Sequence, residues 1–349
     1  MLPPPENLVV EIPGTPGGCP AHCRHCLHRS MVPADAPDLS DAEVLELLAQ
    51  GRAMGIPHLN LYPHQDDLSW QPIARIVPLF AHAAALGFRV KTVTNGANPE
   101  AIERLLPFLH RIAISVDAMD AGTYGHLRDT ALHDAMVETL ARVAAARARN
   151  TDLRVHALVL VSRSTLEGIE ERVARLVDLD LFQKIKLLEL LPIGEAAARA
   201  PDALWEPGQL ERLAALKARY AGRVRIGTPL WRVEAGGRRG CRLGSKDLVV
   251  GPQGQIAACT LLFYLNQILG DVRERPLAAT WRSRFEHLRH KEARGVPLGC
   301  RACALYEQDL CWGGCLARRL IFGDEAEIAR SCGVRDPDAG RALYLRVRG

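Results

Sequence analysis

Residues 8–26 read LVVEIPGTPGGCPAHCRHC, a short apolar strand followed by a loop with three cysteines. The cysteines are Cys19, Cys23 and Cys26, in a CxxxCxxC pattern. Three thiolates on one loop can ligate three irons of a [4Fe–4S] cube and leave the fourth iron open, whereas a structural zinc site needs four closed ligands. The loop therefore indicates an iron–sulfur site with an open position. Zinc, bound with the help of a histidine of the same loop, is the alternative.

The chain continues outward from this loop as alternating strands and helices. Amphipathic helical stretches separate five further predicted strands, at residues 58–62, 88–94, 111–116, 153–161 and 184–190. Ser40 and Glu43 form a capping box before the first helix, and Gly87 marks the end of a later one. Six parallel strands with short crossovers fit either a partial barrel or a doubly wound open sheet. In both folds the cysteine loop lies at the edge where the chemistry takes place.

The composition is that of a folded globular protein, with 48% hydrophobic and 24% charged residues among 349. The net charge is +4 and the basic residues are scattered, so no nucleic acid partner is predicted. The sequence shows neither a membrane helix nor a secretory signal, and we expect a cytoplasmic protein. In that reducing compartment, ten cysteines are not expected to form disulfides.

A second region begins after the strands. Prolines and glycines interrupt the chain from about residue 192, and a cysteine-rich stretch follows from Cys241 to Cys332. We expect a first domain at residues 1–225, connector included, and a second at residues 226–349. Within the second, residues 248–250 and 255–259 flank the turn sequence Gly-Pro-Gln-Gly, which predicts a β-hairpin.

The CxxxCxxC loop directly after the first strand resembles that of the radical SAM enzymes, and the resemblance extends from residue 8 to about residue 195. It implies a partial (β/α)6 barrel of the TIM type. It also implies that Cys19, Cys23 and Cys26 hold a [4Fe–4S] cluster whose open iron is chelated by S-adenosylmethionine (SAM). Reductive cleavage of SAM would then give a 5′-deoxyadenosyl radical, with electrons from a donor such as flavodoxin or ferredoxin.

The same resemblance suggests residues that contact SAM. His25 stands before the last cysteine, where the family often has an aromatic residue near the adenine. Asn95, Ser115 and Arg128 lie in segments similar to the strand-end motifs that contact the ribose and carboxylate. A plain turn at Asn95 and a helix start or surface position at Ser115 are the alternatives.

One segment departs from the family pattern. After the second strand the family usually carries Gly-Gly-Glu-Pro, which receives the methionine amino group, and this chain reads His-Gln-Asp-Asp at residues 64–67. We expect the side chain of Gln65 or Asp66 to accept that hydrogen bond. A solvated loop is the alternative.

The second cysteine set resembles the SPASM extension of some radical SAM enzymes, a cysteine-rich α+β domain with two auxiliary [4Fe–4S] clusters. The resemblance implies a distal cluster on Cys300, Cys303, Cys311 and Cys332, and a nearer one on Cys241, Cys259 and Cys315. Ala235 stands where some relatives have an eighth cysteine, so the nearer cluster is open or takes another ligand. A zinc site built from Cys300, Cys303, Cys311 and Cys315 is the alternative.

The cysteine count also bears on the reaction. If all ten cysteines bind clusters, no thiol is left to return a hydrogen atom to a product radical, which disfavours epimerisation. We expect a net two-electron oxidation instead: dehydrogenation, or formation of a C–C, C–O or thioether bond. No general base can be assigned from the sequence.

For the substrate, oxidation of a ribosomally made peptide is the leading hypothesis, because the two-cluster extension is complete. Only 18 residues precede Cys19, so we expect the barrel mouth or a separate leader-peptide-binding protein to recognise the peptide. Thr260 argues against sulfatase maturation, whose enzymes carry Asp at that position. The alternatives are oxidation or rearrangement of a small molecule such as a sugar or aminocyclitol, and a zinc-stabilised binding protein without activity.

Overall fold

The computed structural model shows a mixed α/β sheet flanked by helices. It describes residues 3–16, 18–21, 23, 25–26, 36–128, 130–202, 207–226, 243–290, 295, 297–301, 303–308 and 311–323. Two of the predicted cluster ligands, Cys241 and Cys332, and also Ala235, lie outside these residues.

In the described part of the chain, ten strands form the sheet in the order β10-β9-β8-β1-β2-β3-β4-β5-β6-β7. Their bounds are Asn7–Ile12 (β1), His58–Pro63 (β2), Arg89–Thr94 (β3), Arg111–Ser115 (β4), Arg154–Val161 (β5), Lys184–Glu189 (β6), Val224–Ile226 (β7), Asp247–Val250 (β8), Gln255–Ala257 (β9) and Gly270–Asp271 (β10). The first six confirm the six predicted strands to within one residue at each end.

The strand order decides between the two expected architectures. Strands β1 to β7 are parallel neighbours in sequence order, whereas a doubly wound sheet reverses its order at a switch point. Among the described residues, no pairing joins β7 to β10. The fold is therefore the partial barrel.

Helices flank the sheet. Their bounds are Asp41–Ala53 (α1), Ile73–Ala85 (α2), Pro99–Leu105 (α3), Ala121–Leu127 (α4), His133–Arg149 (α5), Ile169–Asp178 (α6), Pro207–Arg219 (α7), Thr260–Tyr264 (α8), Leu277–Arg284 (α9), Ala304–Glu307 (α10) and Leu316–Phe322 (α11). The capping box at α1 is confirmed, since the Glu43 amide donates to Ser40 Oγ and the Ser40 amide to Glu43 Oε2. Gly87 follows α2 with φ +85°, as expected of a residue that ends a helix. Within the described ranges, the helices are all too short or too polar to cross a membrane.

Alternate strand residues face two different environments. Leu59 and Leu61 of β2 are fully buried beneath the helices, and His58, Asn60 and Tyr62 face the inside of the barrel, here called the lumen. The main core lies between sheet and helices. A smaller apolar cluster lies on the lumen side of β1, β8 and β9, formed by Val9, Val249, Ala257 and Phe263.

Two features of the sheet go beyond the sequence expectations. Strand β7 extends the parallel series after the connector, and its three residues are too short to give a periodic signal. The predicted hairpin is present as β8 and β9, and β8 pairs in parallel with β1, with Asn7 opposite Asp247. The sheet thus continues across the expected domain boundary near residue 225, which stays a prediction.

Candidate active site

The cysteine loop lies at the carboxyl end of β1 and is held against the loop that follows β2. The Cys19 amide donates to the Gln65 carbonyl at 3.0 Å, and the Cys26 amide donates to the Cys23 carbonyl at 3.2 Å. Gly18 has φ +66°, and a Cβ at this position would lie 2.9 Å from the Gln65 oxygen. Glycine is therefore required for the close approach that positions the first cysteine.

The three thiols are partly buried and next to one another. Burial raises the pKa of the Cys19 thiol to about 11 and also raises the pKa of Cys23, although the Arg128 guanidinium opposes the second shift. Arg128 Nη1 lies 3.7 Å from Cys23 Sγ. Three soft sulfur donors on one loop beside a fixed cation suit an anionic iron–sulfur cluster, whose metal displaces the thiol protons on binding.

Asp117 brings two of the predicted SAM contacts together. Its carboxylate accepts from Arg128 Nε at 2.5 Å and from the Leu160 amide at 2.6 Å, and His25 Nε2 lies 4.0 Å away. Burial raises the pKa of Asp117, but the charges of Arg128 and His25 and the Leu160 hydrogen bond outweigh it and lower the pKa overall. The acid is therefore ionised and orients Arg128.

Ser115 and Asn95 lie at the neighbouring strand ends. Ser115 is buried at the end of β4, and α4 is capped by Asp120, so the helix-start and surface alternatives for Ser115 are wrong. Asn95 is 5% exposed, and its Oδ1 accepts from the Ala97 amide at 2.9 Å. The local turn expected as an alternative is thus present at Asn95.

The segment that departs from the family pattern is well bonded. Asp66 accepts from the Thr15 amide at 2.9 Å, from Thr15 Oγ1 at 2.7 Å and from Gln71 Nε2 at 2.6 Å. These three bonds all end on Oδ2, and Oδ1 accepts from the Asp67 amide at 2.8 Å, so the contact between Asp66 and the SAM amino group stays a prediction. Gln65, in the left-handed conformation with φ 52°, contributes its carbonyl to Cys19.

Asp67 joins the second and third strand ends. Its carboxylate accepts from Thr94 Oγ1 and the Asn95 amide, each at 2.6 Å, and from the Ser69 amide at 2.9 Å. Burial raises its pKa, and these hydrogen bonds act in the opposite direction. The segment is therefore a bonded brace between strand ends, and the expected alternative of a solvated loop is wrong.

One group of side chains was missed by the sequence reasoning. Glu11 of β1 is fully buried, with Oε2 2.6 Å from His64 Nδ1 and Oε1 3.3 Å from Tyr62 Oη. Tyr264 of α8 also bonds Glu11, and burial raises the pKa of both tyrosines well above the ordinary value, with Glu11 adding to the shift. A signal did exist, because an acid in the middle of an otherwise apolar strand is unusual.

This group lies between the two cysteine regions. Cys259 caps α8, with its Sγ 3.4 Å from the Leu262 amide, and Thr260 next to it bonds Tyr62. The ring of Phe263 packs edge-on against His64 with centroids 5.7 Å apart. Toward the cysteine loop after β1, Cys26 is near enough to Tyr264 to contribute to the raised pKa of that tyrosine.

The remaining described cysteines lie on the short segments around α10 and α11. The Cys303 amide donates to the Cys300 carbonyl at 3.2 Å, and Cys315 directly precedes α11. On that helix the buried Arg318 pairs with the buried Glu189 at the end of β6, which fastens the region to the barrel. In the part of the chain that the structure describes, no three His, Cys, Asp or Glu side chains are grouped to hold a single metal ion.

Two family models match the chain. The model of the radical SAM superfamily matches residues 15–176, and that of the SPASM iron–sulfur cluster-binding domain matches residues 241–304. Together they cover more than half of the sequence.

Solved structures with the same fold agree with these matches. Streptococcus suis SuiB bound to S-adenosylmethionine superposes with a TM-score of 0.67 at 14% identity, covering 92% of this chain and 75% of SuiB. SuiB bound to the precursor peptide SuiA superposes with a TM-score of 0.67 at 14% identity, and the match covers 92% of this chain and 74% of SuiB. The protein anSMEcpe with AdoMet and the Cp18Cys peptide superposes with a TM-score of 0.63 at 16% identity, and the match covers 99% of this chain and 96% of anSMEcpe.

The family matches decide against the zinc-stabilised binding protein and imply iron–sulfur clusters and SAM as cofactors. The cysteine loop after β1, the strand-end residues beside it and the cysteine-rich C-terminal region are the parts that such an enzyme requires. The chain belongs to the radical SAM superfamily and is an enzyme with a C-terminal SPASM domain.

Proposed function

We propose that this enzyme carries out a net two-electron oxidation of a peptide. One observation carries the proposal: Cys259 and the Glu11–His64 pair meet around α8, on the side of the lumen that adjoins Cys26. One short helix thus connects a proton acceptor with a cysteine that we assign to an auxiliary cluster, on the side of the lumen where we expect the substrate radical to form. That is the arrangement a dehydrogenation or crosslinking reaction needs, because it removes a proton and an electron after the first hydrogen atom.

The cysteines are assigned to three [4Fe–4S] clusters. Cys19, Cys23 and Cys26 hold the cluster that binds SAM, and the other seven hold two auxiliary clusters: Cys241, Cys259, Cys300, Cys303, Cys311, Cys315 and Cys332. When bound, these groups supply the 5′-deoxyadenosyl radical and an acceptor for the second substrate electron.

The strand ends around the cysteine loop are proposed to bind SAM. Arg128, which Asp117 holds in place, would bind the carboxylate of SAM. Ser115 and Asn95 would bind its ribose. Gln65 is proposed for the amino group, since its backbone already fixes it against Cys19. His25 would lie near the adenine.

His64 is proposed as the acceptor of the substrate proton. Glu11 holds Nδ1 at 2.6 Å, which fixes the ring and stabilises the imidazolium that forms when Nε2 takes up the proton. The balance would be complete: one substrate hydrogen would leave as an atom to the 5′-deoxyadenosyl radical, the other as a proton to His64, and the remaining electron would be accepted by the auxiliary clusters. The bond formed is a double bond or a crosslink within the substrate.

A peptide substrate is supported by the structural comparison, since SuiB and anSMEcpe have both been solved with bound peptides. The lumen is also accessible, because Val93 on its wall is 40% exposed. A separate leader-peptide-binding protein and an electron donor of the flavodoxin or ferredoxin type are proposed as partners.

The test is anaerobic reconstitution, followed by incubation with SAM, dithionite and candidate precursor peptides encoded beside the gene. About twelve irons per chain are expected for three clusters, together with 5′-deoxyadenosine and a two-dalton loss from one peptide. Formation of 5′-deoxyadenosine with every candidate peptide unchanged would count against the peptide. Turnover of a sugar or aminocyclitol in its place would establish the small-molecule alternative.

The role of His64 is tested by His64→Asn, with His58→Asn as the matched control at the other end of β2. We expect His64→Asn to form 5′-deoxyadenosine normally and to lower the oxidised product by about 10²-fold, the usual contribution of a general base. The His58→Asn control should form both 5′-deoxyadenosine and the oxidised product as the wild type does. Equal product yields from His64→Asn and the wild type would show that the proton goes elsewhere.

A further inference from the structure

The amino-terminal half of the lumen is lined with cations. Each of five consecutive strands directs at least one basic side chain to the lumen face, and the ones used here are Lys91 (β3), Arg111 (β4), His156 (β5), Lys186 (β6) and Arg225 (β7). At least one neighbour of each along its strand belongs to the core on the opposite face, which fixes this orientation. We call these five side chains the lumen cations.

Strand register places four of the lumen cations in two neighbouring pairs. Lys91 is directly opposite Arg111 on the adjacent strand, and Lys186 is directly opposite Arg225. Neighbouring strands lie about 4.8 Å apart, so these are close pairs of like charge. Lys91 and His156 are only 8% and 9% exposed, so water screens them poorly.

The described acids near this face do not balance the charge. Asp247 of β8 bonds Asn7 at 2.7 Å, and Asn7 in turn accepts from Lys91 Nζ at 3.0 Å, so it offsets one cation. Glu11, further along β1, is engaged by His64. Arg111 Nε and His156 Nδ1 are buried and have no hydrogen-bond partner among the described residues.

The electrostatics agree with this geometry. Burial lowers the pKa of Lys186 to about 8, and the charges that add to the shift are all positive: Arg111, Arg225 and Lys246. The lysines can respond by losing protons, but a guanidinium cannot. Arg111 therefore stays positive where the lysines lose their protons.

We propose that the lumen cations bind a small multivalent oxyanion, either phosphate or a compact polycarboxylate. Four buried or half-buried donors from adjacent strands can surround such an ion, and its charge removes their repulsion. The site lies about 10 Å from the strand ends that hold the cysteine loop, judged from three or four residues of strand. It is therefore separate from the SAM site and does not rest on the proposed reaction.

Equilibrium dialysis of the full reconstituted chain against radiolabelled phosphate, and separately against radiolabelled citrate, tests the proposal. Ionic strength is kept constant with potassium chloride. We expect saturable binding of at least one of the two anions, and the arm that saturates identifies the source. Binding of neither, or uptake that rises linearly without saturation, would overturn the proposal.

Three substitutions assign the binding to the lumen. Arg111→Gln and Lys186→Met should each weaken it by about tenfold or more, as expected for the loss of a charge-assisted hydrogen bond. Arg225→Gln, at an exposed position that the fold tolerates, should also weaken it. Arg104→Gln, which alters an exposed ion pair on α3, is the control and should bind as the wild type does. Unchanged affinity in Arg225→Gln together with either of the buried variants would place the anion elsewhere.

Discussion

The two ends of the barrel lumen differ in how their charged side chains are paired. At the carboxyl edge two buried acids have a cationic or imidazole partner, Asp117 with Arg128 and Glu11 with His64, and Asp67 is held by hydrogen bonds. In the amino half, Arg111 and Lys186 face other cations. A buried ion is tolerated when it is paired, so the first arrangement is complete as folded and the second is completed by a ligand.

The largest effect is expected at the paired edge. Cys23→Ser should remove about four irons per chain and abolish 5′-deoxyadenosine formation, because two thiolates do not hold the cluster that binds SAM. Iron analysis and product detection after reconstitution provide the measurement. Cys303→Ser is the matched control, since it should lose auxiliary iron and still cleave SAM. A Cys23→Ser protein that cleaves SAM would mean that the loop is not the cofactor site.

The next largest effect tests whether pairing stabilises this edge. Arg128→Met leaves the 1% exposed carboxylate of Asp117 without its cation, and we expect the free energy of unfolding to fall by about 3–5 kcal/mol. The double variant Arg128→Met/Asp117→Asn should recover much of the loss, because the amide keeps an acceptor for the Leu160 amide. Denaturant titration measures both.

The same pair has a defined pH dependence. The folded pKa of Asp117 is lowered, so its contribution is present above the unfolded pKa of about 3.9 and is lost as the pH falls through the folded value. The difference in the free energy of unfolding between the wild type and Arg128→Met should therefore become smaller as the pH falls. A difference that stays constant from pH 7 to pH 3 would contradict the assignment of the stabilisation to this ion pair.

The unpaired half of the lumen should respond to pH in the opposite direction. Lys91 and Lys186 have pKa values of about 8 in the fold against an ordinary 10.5, so the unfolded chain binds more protons between these values. Stability should then rise by about 1–2 kcal/mol between pH 7.5 and 9.5 in buffer without multivalent anions. Lys91→Met/Lys186→Met should flatten this rise, and so should saturating phosphate. If the stability of the wild type and of the double variant rose equally with pH, the two lysines would not carry the effect, and the two ends of the lumen would not differ in this respect.

The sequence predicted the parts of the molecule that depend on local pattern. Strand bounds, the capping box at Ser40 and the position of the cysteine loop follow from periodicity and spacing over a few residues. The pairing of β8 with β1 could not be predicted, because residues 7 and 247 meet only through the closure of the fold.

The lumen cations and the brace at Asp67 could not be predicted from the sequence for the same reason. Each basic residue alternates with apolar neighbours and by itself looks like the exposed face of a strand, as Lys186 does in the sequence KIKLLE. Only the curvature of the barrel brings five such residues together. Asp67 likewise has partners on a different strand end, Thr94 and Asn95, which no short-range pattern indicates.

Asp67 also gives the smallest expected effect, because it is a carboxylate that hydrogen bonds balance without a cation. Asp67→Asn keeps an oxygen for Thr94 Oγ1 and the Ser69 amide but places an NH2 group against the Asn95 amide, which costs about 1 kcal/mol. Burial raises the pKa of Asp67, so charge on this group opposes folding as the pH rises, and the neutral amide recovers part of the cost. Asp67→Ala leaves all three donors without this acceptor and should lose distinctly more in the same denaturant titration. If Asn and Ala cost the same, the brace depends on the negative charge of Asp67, and a neutral acceptor at this position does not hold the two strand ends together.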